Sequence, residues 1–235
     1  MAASRDSATW RVGFWAAVLS TVFSLAYIVA QLAEWAGLLG SGGGAESAST
    51  VLGLIVLLVP SFFLGSSFVV LMACVHLLAP PERHAWTLSA LAFATMYAVL
   101  TGTVYFVQLT LVAPRMLAGR TAGIEMFRFE PFDSFLYSVD ILGYSFMSLS
   151  TLIAAMAFNG MAFNGMAFSG RGGVQRVARG FLLANGLLLP FIALQIYVHD
   201  LIWIAALWAI TFPGATWALA VLFHRRAPVA VGRRG

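Results

Sequence analysis

Long apolar stretches alternate with short polar ones along the whole chain. A transmembrane helix needs about 20 consecutive, mostly apolar residues. Six stretches reach that length, over residues 12–39, 51–79, 87–113, 134–158, 180–198 and 201–223. We therefore predict an all-α fold, a polytopic six-transmembrane-helix bundle that forms a single domain over residues 1–235. The first stretch, about 28 residues, exceeds a signal-peptide core and predicts a retained signal anchor.

Prolines predict bends in three of these helices, because proline removes a backbone hydrogen bond. Pro60 lies in the second helix, Pro190 in the fifth and Pro213-Gly214 in the sixth. Only His199-Asp200 separates the fifth stretch from the sixth, so these two helices form a tight hairpin.

Composition agrees with a membrane protein, since 61% of the residues are hydrophobic and 9% charged, against roughly 25% charged in soluble domains. All 13 basic residues are arginine. A chain without lysine cannot form a lysine Schiff base, which excludes a retinal pigment and a lysine aldolase. The net charge of +4 comes from arginines at helix ends, so no nucleic-acid partner is predicted. Cys74 is the only cysteine, which excludes a disulfide within the chain.

The arginines also predict the orientation of the chain, because cytoplasmic loops are enriched in basic residues. Ten fall in the terminal segments, the 2–3 loop and the 4–5 loop: Arg5, Arg11, Arg83, Arg171, Arg176, Arg179, Arg225, Arg226, Arg233 and Arg234. The other side has three arginines, Arg115, Arg120 and Arg128. All three lie in the 3–4 loop, which also contains three acidic residues. We expect a multi-pass protein of the cell (plasma or inner) membrane with both termini in the cytoplasm, N-in and C-in.

Three predicted helices carry their polar side chains at spacings of three and four, which is one helical face. These are Ser20, Ser24, Tyr27, Gln31 and Glu34 in the first; Tyr97, Thr101, Tyr105 and Gln108 in the third; and Asp133, Tyr137, Asp140, Tyr144, Ser148 and Thr151 in the fourth. Unpaired polar groups in hydrocarbon cost several kcal/mol, so these faces are expected to point inward.

The stripes allow two interpretations. One part of the stripes carries only serine and threonine hydroxyls and is best explained as contacts that hold helices together. Its residues are Ser20, Ser24, Ser148 and Thr151. Glu34 and Asp140 differ, because carboxylates about 7–9 Å inside the span ends, at about 1.5 Å per residue, cost more than packing justifies.

The remaining polar residues of the stripes, which include Glu34 and Asp140, are brought together by the predicted topology at the extracytoplasmic ends of the spans. We predict a ligand-binding vestibule there, lined by Tyr27, Gln31, Glu34, Tyr105, Gln108, Arg115, Tyr137, Asp140, Tyr144, Gln195, His199 and Asp200. No catalytic residue is assigned. No metal site and no cofactor are predicted, because no HxxxH, HExxH or phosphate-loop motif is present. His76, alone in the cytoplasmic half, is interpreted as an interface residue.

Asp140 has two alternative states in this prediction. Either it is ionised and paired, with Arg115 the best partner, or it is protonated and hydrogen-bonded to Tyr137 and Tyr144, each one turn away.

Two connecting segments stand out. Gly40–Thr50 is a flexible, glycine-rich connector. The 3–4 loop, residues 114–133, mixes apolar and charged residues, and is either a surface loop or a lid over the vestibule. Residues 156–170 read MAFNG MAFNG MAFSG, a tandem pentapeptide that the spacing assigns to the end of the fourth helix and the following loop.

Residues 133–190, from FDSFLYSVDILGYSFMSLSTLIAAMAF through a Gly/Arg loop to RVARGFLLANGLLLP, resemble the helix–basic loop–helix segment of uncharacterised six-span bacterial integral membrane proteins of the domain-of-unknown-function type. The resemblance covers about a quarter of the chain. It implies the six-helix fold and no activity.

The sequence favours a non-enzymatic protein that binds or passes a small or amphipathic molecule through the vestibule. The first alternative is an intramembrane enzyme that uses Glu34 and Asp140 as acid and base on a lipid or isoprenoid. The second is a structural subunit of a larger membrane complex. The expected partners are membrane lipids, a small amphipathic ligand, and either a second copy of the chain or a larger complex.

Overall fold

A computed structural model describes the backbone of residues 2–158 and 172–226, and the side chains of residues 8–158 and 173–225. It is all-helical, and six helical segments are long and apolar enough to span a membrane. These spans, numbered 1 to 6, are Ala8–Trp35, Val51–Leu78, Pro81–Leu117, Phe135–Ala157, Gly173–Leu194 and His199–Arg225. Most of the predicted pentapeptide repeat, and Arg171, Arg233 and Arg234, lie outside the described residues.

The spans are built from nine α-helices within the described residues: α1 Ala2–Trp35, α2 Val51–Leu78, α3 His84–Val107, α4 Ala113–Leu117, α5 Phe135–Ala157, α6 Gly172–Gly186, α7 Leu189–Leu194, α8 Ile202–Ala205 and α9 Trp208–Arg226. Short 3-10 turns cover Pro81–Arg83, Glu125–Phe127 and His199–Leu201, and a π-helical turn covers Gln108–Val112.

The six spans form a closed ring in chain order. The main contacts of each span are with the spans before and after it, and α9 returns to pack against α1. Along that last seam the Thr21 and Thr216 hydroxyls are hydrogen-bonded at 2.8 Å. The ring places the 1–2, 3–4 and 5–6 connections together at the end of the bundle opposite the chain termini.

The first helix ends in a way that fixes its last turn. Gly37 has a φ of +73°, and the amides of Gly37 and Leu38 donate to the carbonyls of Glu34 and Ala33. This is a Schellman motif, which favours glycine at the left-handed position. The motif holds Glu34 in the final turn of α1, beside the start of α2.

Span 3 continues past the predicted end at residue 113, and the reason is local. Pro114 has no N–H, so a regular α-helix would lose a hydrogen bond there. The chain instead forms the π-helical turn, in which the Ala113 amide donates to the Gln108 carbonyl, and then α4. Arg115, predicted in the loop, therefore lies in the last helical turn of this span.

Spans 5 and 6 are both interrupted. Span 5 breaks between Gly186 and Leu189, which is the bend expected from Pro190. Span 6 breaks between α8 and α9, at Ala206-Leu207, ahead of Pro213, which lies inside a continuous helix. The predicted bend at Pro213 is thus displaced towards the loop end of the span.

Several polar contacts between helices lie in the half of the bundle nearer the termini and at its centre. The Ser20 hydroxyl donates to Ser67 Oγ at 3.0 Å. Asn185 connects three spans, because its Nδ2 donates to Thr151 Oγ1 at 3.0 Å and its Oδ1 accepts from Thr211 at 2.9 Å. Ser20 and Thr151 thus join helices as predicted, whereas Ser24 bonds within its own helix.

Candidate functional site

All six spans contribute to one cavity at the end of the ring opposite the termini. Its volume is about 130 Å³. Its polar lining is Tyr27, Gln31, Glu34, Ser47, Ser49, Tyr105, Tyr137, Asp140, Tyr144 and Gln195. Leu54, Leu57 and Leu58 of α2 form an apolar wall, and the 1–2 and 3–4 loops contribute to the loop end. The cavity is therefore enclosed by helices and bordered by the two loops.

Glu34 is a buried carboxylate without a protein partner. Its side chain is 2% exposed, and neither carboxylate oxygen has a hydrogen-bond partner among the described residues. The carboxylate lies over Gly53 in the first turn of α2, whose amide donates to the Thr50 cap. A helix N-terminus carries a partial positive charge, which favours a carboxylate there.

Asp140 is the second buried acid, at 5% exposure. Its Oδ1 has no hydrogen-bond partner within the described part of the chain. Four of the six tyrosines line the same cavity: Tyr27, Tyr105, Tyr137 and Tyr144. The ring of Tyr97 is buried 5.6 Å from that of Tyr144, and Tyr197 is 83% exposed.

The tyrosines are held in place by glutamines and by each other. Tyr27 donates to Gln31 Oε1 at 2.9 Å, and Tyr137 donates to Gln195 Oε1 at 3.4 Å. Tyr105 donates to the Tyr144 hydroxyl at 3.2 Å. These bonds join spans 3, 4 and 5 around the cavity and fix where the phenols point.

Trp208 completes an aromatic wall. It begins α9, directly after the break in span 6, and its ring packs 5.5 Å from Tyr27 and 5.6 Å from Tyr144 between centroids. Trp35 and Phe129 also line the cavity. The two acids therefore share one cavity with seven aromatic side chains: Tyr27, Trp35, Tyr105, Phe129, Tyr137, Tyr144 and Trp208.

Packed aromatic rings fill the middle of the bundle. Phe68, Tyr97 and Phe212 are each at most 1% exposed. The ring of Phe68 lies 5.2 Å from Phe212 and 6.2 Å from Tyr97. These three rings separate the cavity from the half of the bundle nearer the termini, so the cavity is one-sided.

The 1–2, 3–4 and 5–6 loops meet at His199, at the cavity end of the bundle. Its Nδ1 lies 3.2 Å from Glu46 of the 1–2 loop, and Phe132 of the 3–4 loop stacks on its ring at 4.1 Å. Phe132 has a φ of +65°, the one positive value at a non-glycine residue in the described part of the chain. His199 and Asp200 line a second, more open depression, which shares Ala45 and Ile202 with the cavity.

The 3–4 loop is anchored from below by Gln108. Its Nε2 donates to the Phe127 carbonyl at 2.5 Å, and Ile124 of the loop is fully buried. Gln108 begins the π-helical turn, and its Oε1 has no hydrogen-bond partner among the described residues. The loop therefore folds across the end of the ring, as the lid interpretation requires.

The structure brings together eight of the predicted vestibule residues: Tyr27, Gln31, Glu34, Tyr105, Tyr137, Asp140, Tyr144 and Gln195. Gln108 is buried beneath the loop, and His199 and Asp200 lie in the outer depression. Arg115 is exposed and outside the cavity. Among the described residues Arg128 pairs with Glu130 and His199 with Glu46, and no ion pair joins Arg115 to Asp140, so the pair considered from the sequence does not form.

Sequence reasoning missed the aromatic and loop components of the cavity. Trp208 and Trp35 carried no polar pattern, although Trp35 follows Glu34 directly. Ser47 and Ser49 belong to the connector that was predicted to be flexible. Proline was the available signal for Trp208, because prolines in two adjacent spans indicated interrupted helices.

Among the described residues, no group of three or more His, Cys, Asp or Glu side chains is arranged to hold a metal ion. Comparison of the chain with protein-family models, with curated proteins and with solved structures found no match. The function of the protein is therefore inferred from the geometry of the cavity.

Proposed function

We propose that the chain is a multi-pass protein of the cell membrane that binds or passes a small or amphipathic molecule through a vestibule facing the extracytoplasmic side. The vestibule is the cavity between the six spans together with the loops that border it. The observation that carries the proposal is that one cavity holds two buried carboxyl groups, Glu34 and Asp140, and that both Glu34 oxygens and Asp140 Oδ1 lack a hydrogen-bond partner among the described residues.

The interrupted helices support this proposal. Irregular backbone at membrane depth is tolerated where it lines a cavity, and discontinuous helices commonly form substrate sites in transporters. Span 6 is interrupted at Ala206, which lines the cavity. Span 3 contains a π-helical turn, a feature that is frequent at functional sites.

The orientation in this proposal depends on the distribution of arginine. The arginine-rich segments lie at the end of the ring that holds the termini, and the cavity lies at the other end. By the positive-inside rule the cavity then faces away from the cytoplasm.

Cysteine labelling tests both the access and the orientation. Cys74 is buried and is the only cysteine, so a Cys74→Ala variant has no thiol that the reagents could label. Four alanines form a matched set in that background: Ala205 lines the cavity, Ala94 is packed in the core, Ala118 is exposed at the cavity end and Ala85 is exposed at the opposite end. Each is replaced by cysteine and exposed in intact cells to small membrane-impermeant methanethiosulfonates, one cationic and one anionic.

We expect Ala205→Cys and Ala118→Cys to react, and Ala94→Cys and Ala85→Cys to stay unmodified. Reaction of Ala118→Cys with no reaction of Ala205→Cys towards either reagent would show that the cavity is closed and would refute the proposal. Reaction of Ala85→Cys in intact cells would reverse the orientation.

The intramembrane enzyme is the second candidate, because both carboxylates line the same cavity beside apolar Leu54, Leu57 and Leu58. Two acids in unlike surroundings can divide the roles of acid and base. The Glu34 carboxylate lies over the N-terminus of α2, whereas Asp140 lies among phenols, so the surroundings of the two acids differ. Incubation of the purified protein with isoprenoid and phospholipid substrates tests it, and turnover that Asp140→Asn leaves unchanged would exclude this role for Asp140.

A further inference from the structure

We infer that the ligand of this cavity is an organic ammonium cation, held between Glu34 and Asp140 by the aromatic wall. The inference rests on the proposed function and adds the chemical class of the molecule. Its first basis is charge. Glu34 and Asp140 line the cavity, and no basic side chain lines it with them in the described part of the chain.

The hydrogen-bonding state of the acids points the same way. Both Glu34 oxygens and Asp140 Oδ1 are buried and have no donor among the described residues. Buried charges are normally paired, and truncation or loss of a partner is costly. A cation between the two side chains would give Glu34 and Asp140 Oδ1 the partner that the described residues do not supply.

The walls favour an organic cation over a metal ion. A hard metal ion takes six or more oxygen ligands from carboxylates, carbonyls and water. This cavity instead combines two carboxyl groups with seven aromatic side chains. Aromatic faces attract ammonium groups, and cages of aromatic residues are the common way to hold quaternary ammonium. Tyr27 and Tyr144 each pack against Trp208, and all three rings line the cavity.

The size of the cavity limits the ligand. At about 130 Å³ the cavity is smaller than the roughly 300–1,000 Å³ typical of pockets for drug-sized molecules. A trimethylammonium or a primary ammonium group suits that space. Such a group occurs in free choline-like molecules and in the headgroups of zwitterionic phospholipids. The open depression beside His199 leaves room for the remainder of either molecule.

Ligand binding to the purified protein tests the inference. The probes are tetramethylammonium, choline, and the neutral isostere of choline in which tert-butyl replaces trimethylammonium. The measurement is the rise of the thermal unfolding midpoint with ligand concentration, which gives an apparent Kd. Short-chain phosphatidylcholine forms a second arm, and preferential binding there identifies the lipid headgroup as the source of the cation.

We expect an ammonium probe to stabilise the protein and the neutral isostere to have no effect. Glu34→Gln and Asp140→Asn each remove a charge with little change of shape, and each is expected to weaken the apparent Kd at least about tenfold, equivalent to 1.4 kcal/mol. Glu125→Gln is the control, because this exposed acid lies in the 3–4 loop at the same end of the bundle and lines neither the cavity nor the depression beside His199.

A second measurement keeps the test decisive if an acid variant does not fold. At Ala205→Cys, with both acids present, the cationic methanethiosulfonate should react faster than the anionic one, after normalisation to the exposed Ala118→Cys. Equal normalised rates, or equal stabilisation by choline and its neutral isostere, would overturn the inference. The comparison of labelling rates presupposes a reactive Ala205→Cys, whereas an unreactive one refutes the proposed function itself.

Discussion

The carboxylate of Glu34 occupies the space that a side chain at residue 53 would need. A β-carbon added at Gly53 would lie 2.7 Å from Glu34 Oε2 and 2.9 Å from Oε1. The φ of Gly53 is not positive, so this glycine is required by the close approach of α1 to α2. The acid and the glycine thus form one structural unit at the edge of the cavity.

Gly53→Ala is therefore expected to destabilise the protein. The added methyl group displaces the Glu34 carboxylate, which is the flexible end of a side chain, so we expect a loss at the low end of the about 1–3 kcal/mol that overpacking costs. Gly102→Ala is the matched control, because a β-carbon there meets no atom within 4 Å, and in a helix it should stabilise by about 0.5–1 kcal/mol. Thermal unfolding in detergent measures both.

Removal of the acid tests the same relationship from the other side. In a Glu34→Ala background the carboxylate is gone, so Gly53→Ala should lose most of its cost. An undiminished cost in that background would show that the two residues do not interact.

Gly186→Ala is expected to separate spans 4 and 5. A β-carbon at Gly186 would lie 2.7 Å from the Leu152 Cα and 2.8 Å from its backbone nitrogen, and backbone cannot move aside as a flexible side chain can. We expect a loss of at least about 1–3 kcal/mol. Gly180→Ala, in the same span and with nothing within 4 Å, is the control. Equal unfolding midpoints for the two variants would contradict the close approach.

Gln108→Ala is expected to release the 3–4 loop. It removes the hydrogen bond to the Phe127 carbonyl, which joins the loop to span 3. Limited trypsin digestion should then cleave faster after Arg120 and Arg128. Thr110→Ala is the control, because the exposed Thr110 hydroxyl bonds only the Phe106 carbonyl of its own helix. Unchanged cleavage in Gln108→Ala would mean that burial of Ile124 alone holds the loop.

Asp140→Ala and Arg115→Ala are expected to act independently on stability. Arg115 is exposed and makes no ion pair with Asp140, so the two effects should add within about 0.5 kcal/mol. A double-mutant cycle on thermal unfolding measures the coupling. Substantial recovery of stability in the double variant would restore the ion pair as the correct description.

The periodicity of the sequence predicted the main part of the cavity because helix geometry and the bilayer act together. Residues spaced by three and four share a face, and hydrocarbon forces polar faces inward. Tyr105 of α3 and Tyr137, Asp140 and Tyr144 of α5 follow that rule and line the cavity.

Arg115 shows where periodicity fails. The prediction ended the third helix at residue 113 and placed Arg115 in the 3–4 loop, whereas the π-helical turn inserts an extra residue and the helix continues to Leu117. One residue corresponds to about 100° of rotation in a helix with 3.6 residues per turn, so all later side chains change face. Trp208 was missed for a related reason, because the break in span 6 decides which side of α9 meets the cavity.

The closed ring has a consequence for how the protein is made. The chain leaves the ribosome from its N-terminus, so α1 meets α2 early but must wait for α9, the last of these nine helices, before its other side is covered. Until then Thr21 lacks Thr216, and the wall containing Trp208 does not exist. A nascent chain that stops before residue 199 would hold Glu34 and Asp140 in an incomplete enclosure, and membrane quality control should remove it.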